Sequence, residues 1–287
     1  MSTASIRRAP SRIFVTGATG VVGRRAVPLL VARGHQVTAV GRNPAKLASL
    51  ATMGASTVAL DLFDATAVRR AVENHDVVIN LATHMPSSTI KMMFKRSWKE
   101  NDRVRREGSA ILVDAALAAG VRRFVQESFA PIYEDGGSRW IDENWPTRPV
   151  SYNRTVADAE NSAARFASKG GSAVVLRFAW FYGSDNILHD MLDSVRRGWS
   201  PVAGDAHAYW SSLAHEDAAV AVVAALEAVG GTYNVCDDEP LTRREFADAL
   251  AAAIGARSPK LIPHWLGAIG GSTMELLGRS IRMSNAA

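Results

Sequence analysis

The sequence predicts an α/β fold, a doubly wound parallel sheet followed by a smaller C-terminal lobe. Three observations predict it. Short apolar runs alternate with helix-length runs over about the first 180 residues. The first such junction, strand to helix, carries glycines at positions 17, 20 and 23. Beyond Arg177 the alternation breaks, so the rest of the chain builds something other than further strand–helix repeats.

The elements follow in order. Residues 13–16 read as a short buried strand, and residues 21–32 as a helix that contains Pro28 and closes at Gly34. Residues 36–40 are a second strand, 45–53 a helix and 56–60 a third strand. Asp61, Leu62, Phe63 and Asp64 lead into the next helix. Residues 77–80 are a fourth strand, continued by Leu81, Ala82 and Thr83 along the same edge. A long helix is expected over residues 99–119, ending at Gly120. Residues 123–126 make a fifth strand with Glu127 and Ser128 at its exit, and residues 174–178 a sixth. Right-handed crossovers bring all the ligand-facing loops to the C-terminal edge of such a sheet.

The glycine turn gives that edge its first chemical meaning. Gly17 permits a tight turn, Gly20 lets backbone N–H groups approach a pyrophosphate, and Gly23 lets the helix pack closely on the strand. The helix N-terminus adds unpaired donors and a partial positive charge. Thr16, Thr19, Val21 and Val22 flank the glycines and complete the expected dinucleotide cradle. An NAD site usually places a carboxylate about 20 residues further on, against the ribose hydroxyls. Gly41 stands there instead, followed by Arg42. An arginine neutralises the extra phosphate of NADP, so NADP is favoured over NAD. Asp61 and Leu62 are expected at the adenine, and Leu81, Ala82 and Thr83 along the cofactor edge.

The C-terminal part reads as residues 181–228 of irregular helix and loop, with a helix over 190–197, a loop over 198–210 and a helix over 215–228. A strand over 233–235 follows, then a helix over 242–254 opened by Thr242 and Glu245 in a capping box. The expected division is a dinucleotide-binding domain over 1–180 that also receives roughly 211–236, and a discontinuous lobe over 181–210 and 237–287.

Composition narrows the classes. The 287 residues are 47% hydrophobic and 21% charged, with a net charge of +5. The densest basic stretch, 91–106, also holds Glu100 and Asp102 and has no aromatic ladder, so a solvated, partly helical face is expected and nucleic acid is not. One cysteine, Cys236, excludes an internal disulfide and fits a reducing compartment as a buried thiol. Residues 1–12 lack the apolar core of a signal peptide, and no run reaches the roughly 18 apolar residues of a membrane span. A cytoplasmic location is the resulting expectation. The histidines show no metal-ligand spacing, and no nucleophile elbow is present.

Several stretches together resemble the extended, epimerase/dehydratase-like branch of the short-chain dehydrogenase/reductase superfamily. They are residues 16–23, Asp61-Leu62, Asn80-Leu81-Ala82, Ser128 with Tyr133, Tyr152, residues 176–183 and residues 210–217. The resemblance implies a Rossmann-type fold, hydride transfer between a nicotinamide and a carbonyl or alcohol carbon of a small molecule, and pairing into homodimers. It places Tyr152 as proton donor or acceptor and Ser128 as the group orienting the substrate oxygen. It also implies a lysine four residues after the tyrosine, where this chain has Val156, and a hydroxyl four before Tyr133, where it has Phe129. The missing lysine supports a second reading, a dinucleotide-binding sensor or scaffold. His84, Phe129, Phe178 and Trp180 are the expected substrate contacts, with several of the seven tryptophans walling an aromatic-accepting pocket. Sugar nucleotides, steroids, flavonoid-like aromatics and polyketide carbonyls all suit that architecture.

Overall fold

A computed structural model describes residues 10–86, 91, 94–151, 153–262 and 271–287. The first half alternates as expected: β1 (Arg12–Thr16), α1 (Gly23–Ala32), β2 (Gln36–Gly41), α2 (Pro44–Ala51), β3 (Ser56–Ala59), α3 (Ala65–Val72) and β4 (Val77–Asn80). Then come α4 (Lys99–Arg103), a π turn (Val104–Gly108), α5 (Ser109–Ala118), β5 (Arg123–Phe129), β6 (Trp140–Ile141), α6 (Thr155–Ser168) and β7 (Ser172–Phe178). The remainder comprises β8 (Trp180–Tyr182), α7 (Asn186–Arg196), β9 (Trp199–Ala203), β10 (Tyr209–Trp210), β11 (Ser212–Ala214) and α8 (His215–Ala224). It ends with β12 (Gly231–Val235), β13 (Leu241–Thr242), α9 (Arg243–Ala253), β14 (Lys260–Ile262), α10 (Gly271–Gly278) and β15 (Arg282–Met283).

Among the described residues seven strands form one parallel sheet in the order β12-β7-β5-β4-β1-β2-β3, a Rossmann-type arrangement. Successive side chains of β1 serve opposite faces. Ile13 and Val15 join Ala26, Val27 and Leu30 of α1 and Ala219 and Val222 of α8 on one side. Phe14 joins Val68 and Val72 of α3 and Leu112 and Val113 of α5 on the other. Fully burying such a side chain is worth about 1.5–3 kcal/mol, against a strand-propensity range of about 1 kcal/mol. The two-sided core therefore fixes the register, and a one-residue slip would swap every face.

The strand order reverses at β1, between β2 and β4, which opens a crevice at their C-terminal ends. Both loops that flank it, the glycine turn after β1 and residues 81–83 after β4, are held by buried polar groups. Thr16 donates to Asn80 Oδ1 at 2.7 Å, and Asn80 donates to Ser109 and Gln126.

Three local features differ from the expectation. The helix over 99–119 is interrupted by the π turn. β5 runs through Glu127 and Ser128 to Phe129, because β7 pairs with it as far as Phe129↔Phe178. The stretch 198–210, expected as loop, contains β9 and β10, which pair with β14 and β13. Trp210, Val202 and Phe246 form a small separate core there, with Trp180 and Leu250 against it. Thr242 and Glu245 do form the capping box of α9.

Candidate functional site

The glycines of the turn are where the chain comes closest to itself. A Cβ at Gly17, whose φ is +67°, would lie 2.3 Å from the Leu81 carbonyl oxygen. One at Gly23 would lie 2.3 Å from the Gly17 oxygen, so the start of α1 packs directly on the turn. Gly20 meets only the Gly17 oxygen, at 3.1 Å, and its outer side faces the crevice. A missing side chain at that point leaves room for a phosphate beside the helix N-terminus. The donor set and the space fit a dinucleotide.

Two pockets adjoin along the crevice and share Gly17, Gly20, Leu81 and Thr83, one forming its outer end and the other its inner end. Thr16, Thr19, Arg42, Asp61, Leu62 and Ala82 line the outer end, as does Lys46, which the sequence reading did not single out. Asp61 accepts the Phe63 N–H at 3.0 Å. Gly41 is pressed against Thr19, whose Cγ2 would be 3.3 Å from a Cβ, so a longer acidic side chain at 41 would crowd the turn. Arg42 is 58% exposed, 3.1 Å from Glu100 and 3.3 Å from His84 Nδ1. His84 therefore sits at the outer end, beside Arg42, with its own N–H on Asn101.

Val21, Val22 and Gly23 border the inner end, with Ser128, Phe129 and Phe178. Trp180 stands behind that wall, edge-on to Phe129 at 5.0 Å and stacked on Trp210 at 4.5 Å. Tyr152 and Trp265 lie outside the described residues. Val156 is wholly buried in the first turn of α6 and brings no charge to the site. Ser128 donates to Glu160 Oε1 at 2.5 Å, and Arg177 holds Glu160 with a fork at 2.9 and 2.8 Å. With its proton committed to Glu160, the Ser128 oxygen turns lone pairs, not a donor, to the groove.

Two further groups at the inner end come from elements far apart in sequence. Arg105, on the π turn, meets Glu127 of β5 at 3.2 Å, both side chains nearly buried. The other described basic residues of 91–106 are exposed as expected, and Arg105 alone departs: it falls on the helix stripe shared with Asn101, Gly108 and Leu112, all buried. An arginine on an otherwise inward stripe was the signal available in the sequence. Burial pushes the Glu127 carboxyl above the usual range, and Arg105 draws it part of the way back.

The second group is His215, at the head of α8. Neither ring nitrogen has a hydrogen-bond partner among the described residues, and Nε2 is 3.4 Å from Asp185. Burial lowers its pKa against the pull of Asp185, which favours the neutral ring. Gly183, at φ +148°, passes so close that a Cβ would lie 2.3 Å from His215 Nδ1. Cys236 is buried after β12 with its thiol pushed up to about 12 by burial, so it is no nucleophile at neutral pH.

Comparison with known proteins agrees with this geometry. A family model described as NAD(P)H-binding matches residues 17–193. The chain is 32% identical, over 88% of its own length and 84% of the other, to a 3-diazoavenalumate denitrifying reductase of a Streptomyces species. The solved structure of UDP-glucose 4-epimerase from Thermus thermophilus with NAD is similar at a TM-score of 0.72 and 26% identity, over 88% of this chain and 86% of that one. The human epimerase family protein SDR39U1, solved with NADPH, shares the fold at a TM-score of 0.78 and 24% identity, over 96% and 91% of the two chains.

Proposed function

The chain belongs to the extended, epimerase/dehydratase-like branch of the short-chain dehydrogenase/reductase superfamily, and from that premise we propose that it is an NADP(H)-dependent reductase of small organic molecules. The observation that carries the reading is the pair of adjoining pockets, one lined by Arg42 and Lys46, the other by Ser128 and Phe129, that meet at Gly17 and Gly20. It runs from a cationic end suited to a ribose phosphate to an apolar end suited to a substrate. In the same reading residues 1–180 with 211–236 hold the dinucleotide, and 181–210 with 237–287 close the substrate side.

Arg42, Lys46 and the Gly17–Gly23 turn would hold the cofactor, whose nicotinamide supplies the hydride when bound. An exposed ion pair such as Arg42–Glu100 is worth about 0–1 kcal/mol, so a phosphate dianion readily takes Arg42 from Glu100. Phe129, Phe178 and Phe181 exclude water from the inner end. Ser128 meets the substrate as a hydrogen-bond acceptor. Tyr152, placed by sequence just before α6, transfers the proton. A phenol has an ordinary pKa of about 10, and Val156 offers no cation to lower it, so Tyr152 acts at neutral pH as an acid. That favours reduction over oxidation.

Calorimetric titration with NADPH and NADH, followed by turnover on a carbonyl panel, tests the proposal. NADPH should bind at least about tenfold tighter than NADH, and Arg42→Ala should erase most of that margin while sparing NADH. Tyr152→Phe should abolish turnover and leave NADPH affinity nearly intact. Equal affinity for the two dinucleotides would remove the NADP assignment. Tight NADPH binding without turnover would favour the sensor reading, to which Val156 lends support.

A further inference from the structure

The groove wall carries one charged pair that the hydride-transfer reading leaves idle. Arg105 and Glu127 are only 6% and 10% exposed. Replacing such a buried pair by apolar residues is often neutral or stabilising, so stability alone gives no reason for it. Nor is it the best pair the molecule makes. Arg105 Nε and Nη2 reach Glu127 at 3.2 to 3.4 Å, whereas Arg177 grips Glu160 at 2.9 and 2.8 Å. Charge-assisted N–H···O bonds settle near 2.7–2.9 Å. Arg177 is thus satisfied by its carboxylate, and Arg105 has capacity left. Its Nη1 makes no hydrogen bond among the described residues, and Arg105 lines the groove. The π turn that presents it is a distortion found most often at functional sites.

We propose that Arg105 anchors a carboxylate of the substrate, and that Glu127 takes up a proton as that carboxylate binds.

A guanidinium is shaped to take a carboxylate, and Arg105 lies at the inner end where the substrate belongs. Two carboxylates on one buried guanidinium repel each other, which raises the pKa of one and draws a proton to it. Glu127 is that one. Burial already disfavours its charge, and Glu160 of α6 repels it further. Arg105 of the π turn is the cation that opposes this, and it is the group the ligand would engage. Glu160 is itself tied to Arg177 of β7. Further along the same wall stand Asp185 and the buried His215.

The walls complete the substrate class. Trp98, Met85, Phe129 and Phe181 offer flat apolar surface, so the ligand is an aromatic or conjugated carboxylic acid. Its ring lies among these side chains and its carboxylate on Arg105, leaving the reducible group towards the glycine turn. What happens after binding rests on the hydride-transfer reading; the binding itself does not.

The test is calorimetry on the full chain, with and without NADP⁺, using trans-cinnamate and neutral cinnamamide as probes in two buffers of different ionisation enthalpy. Cinnamate should bind at least about tenfold tighter than cinnamamide and bring about one proton onto the protein at neutral pH. Glu127→Gln should keep the preference for cinnamate and lose the proton uptake. Arg105→Gln leaves a buried carboxylate stranded, so the double variant Arg105→Met with Glu127→Gln, neutral and of similar volume, serves as the decisive one. It should bind NADP⁺ as the parent does and show no preference between the probes. Equal affinity for the two probes, a preference that survives in the double variant, or proton uptake that persists in Glu127→Gln would each overturn the proposal. If NADP⁺ fails to bind while the cinnamate preference holds, the cofactor reading falls and this one stands.

Discussion

Tyr133 and Arg177 show how much a single side chain can be tied down. The Tyr133 hydroxyl donates to Asn234 at 2.7 Å and accepts from Arg177 at 2.9 Å, with no exposed surface on the ring. Burial pushes the phenol up to about 12, against the pull of Arg177, so it stays protonated and serves structure. Tyr133→Phe strands both partners and should cost about 1–3 kcal/mol, read as a lower urea midpoint with NADPH affinity unchanged. At this scale the sequence was uneven as a guide. Gly17 and Gly23 were legible because neighbours in the chain determine the tight turn they make. The partners of Ser128 and Arg105 were not, since Glu160 is 32 residues from one and Glu127 is 22 from the other. Such pairs become visible only when the chain folds back on itself.

Among the elements, the π turn has the clearest consequence. It carries Arg105, whose side chain lines the groove. Deleting Glu107, an exposed residue paired with Arg103, should turn Arg105 by about 100° relative to α5. The expected result is a folded protein, by near-UV circular dichroism, that no longer prefers cinnamate to cinnamamide. Periodicity alone hid this turn, because Val104, Gly108 and Leu112 keep a helical rhythm across it. The reach of β5 to Phe129 and the existence of β9 were hidden for another reason. Each depends on a distant strand, Phe178 in one case and Lys260 in the other. The cap of α9 needed only Thr242 and Glu245, three residues apart, and was readable at once.

At the scale of the whole molecule, acid stability has an identifiable contributor at the N-terminal edge of the sheet. Asp76, just before β4, accepts the Arg12 N–H at 2.8 Å and sits 3.7 Å from the Arg12 guanidinium and 3.6 Å from that of Arg122. The backbone hydrogen bond and both arginines hold its carboxyl below the usual range, against a smaller push from burial. A carboxylate depressed in the folded state adds stability above its unfolded pKa, and loses it as pH falls through the folded value. Asp76→Asn should therefore lower the melting temperature at neutral pH and flatten its fall below about pH 4, when melts are compared across acid pH.

The stack of Trp180 on Trp210, 4.5 Å apart and 9° from parallel, joins β8, which continues from the end of β7, to β10, which pairs with β13 ahead of α9. Two indoles held so closely share their excited states, and the protein thereby owns an exciton pair with a signed optical band. The seam between the sheet and the elements beyond it is written into that band. A shift of one side against the other by a fraction of a ring width changes its intensity, so the molecule carries a label-free gauge of that seam.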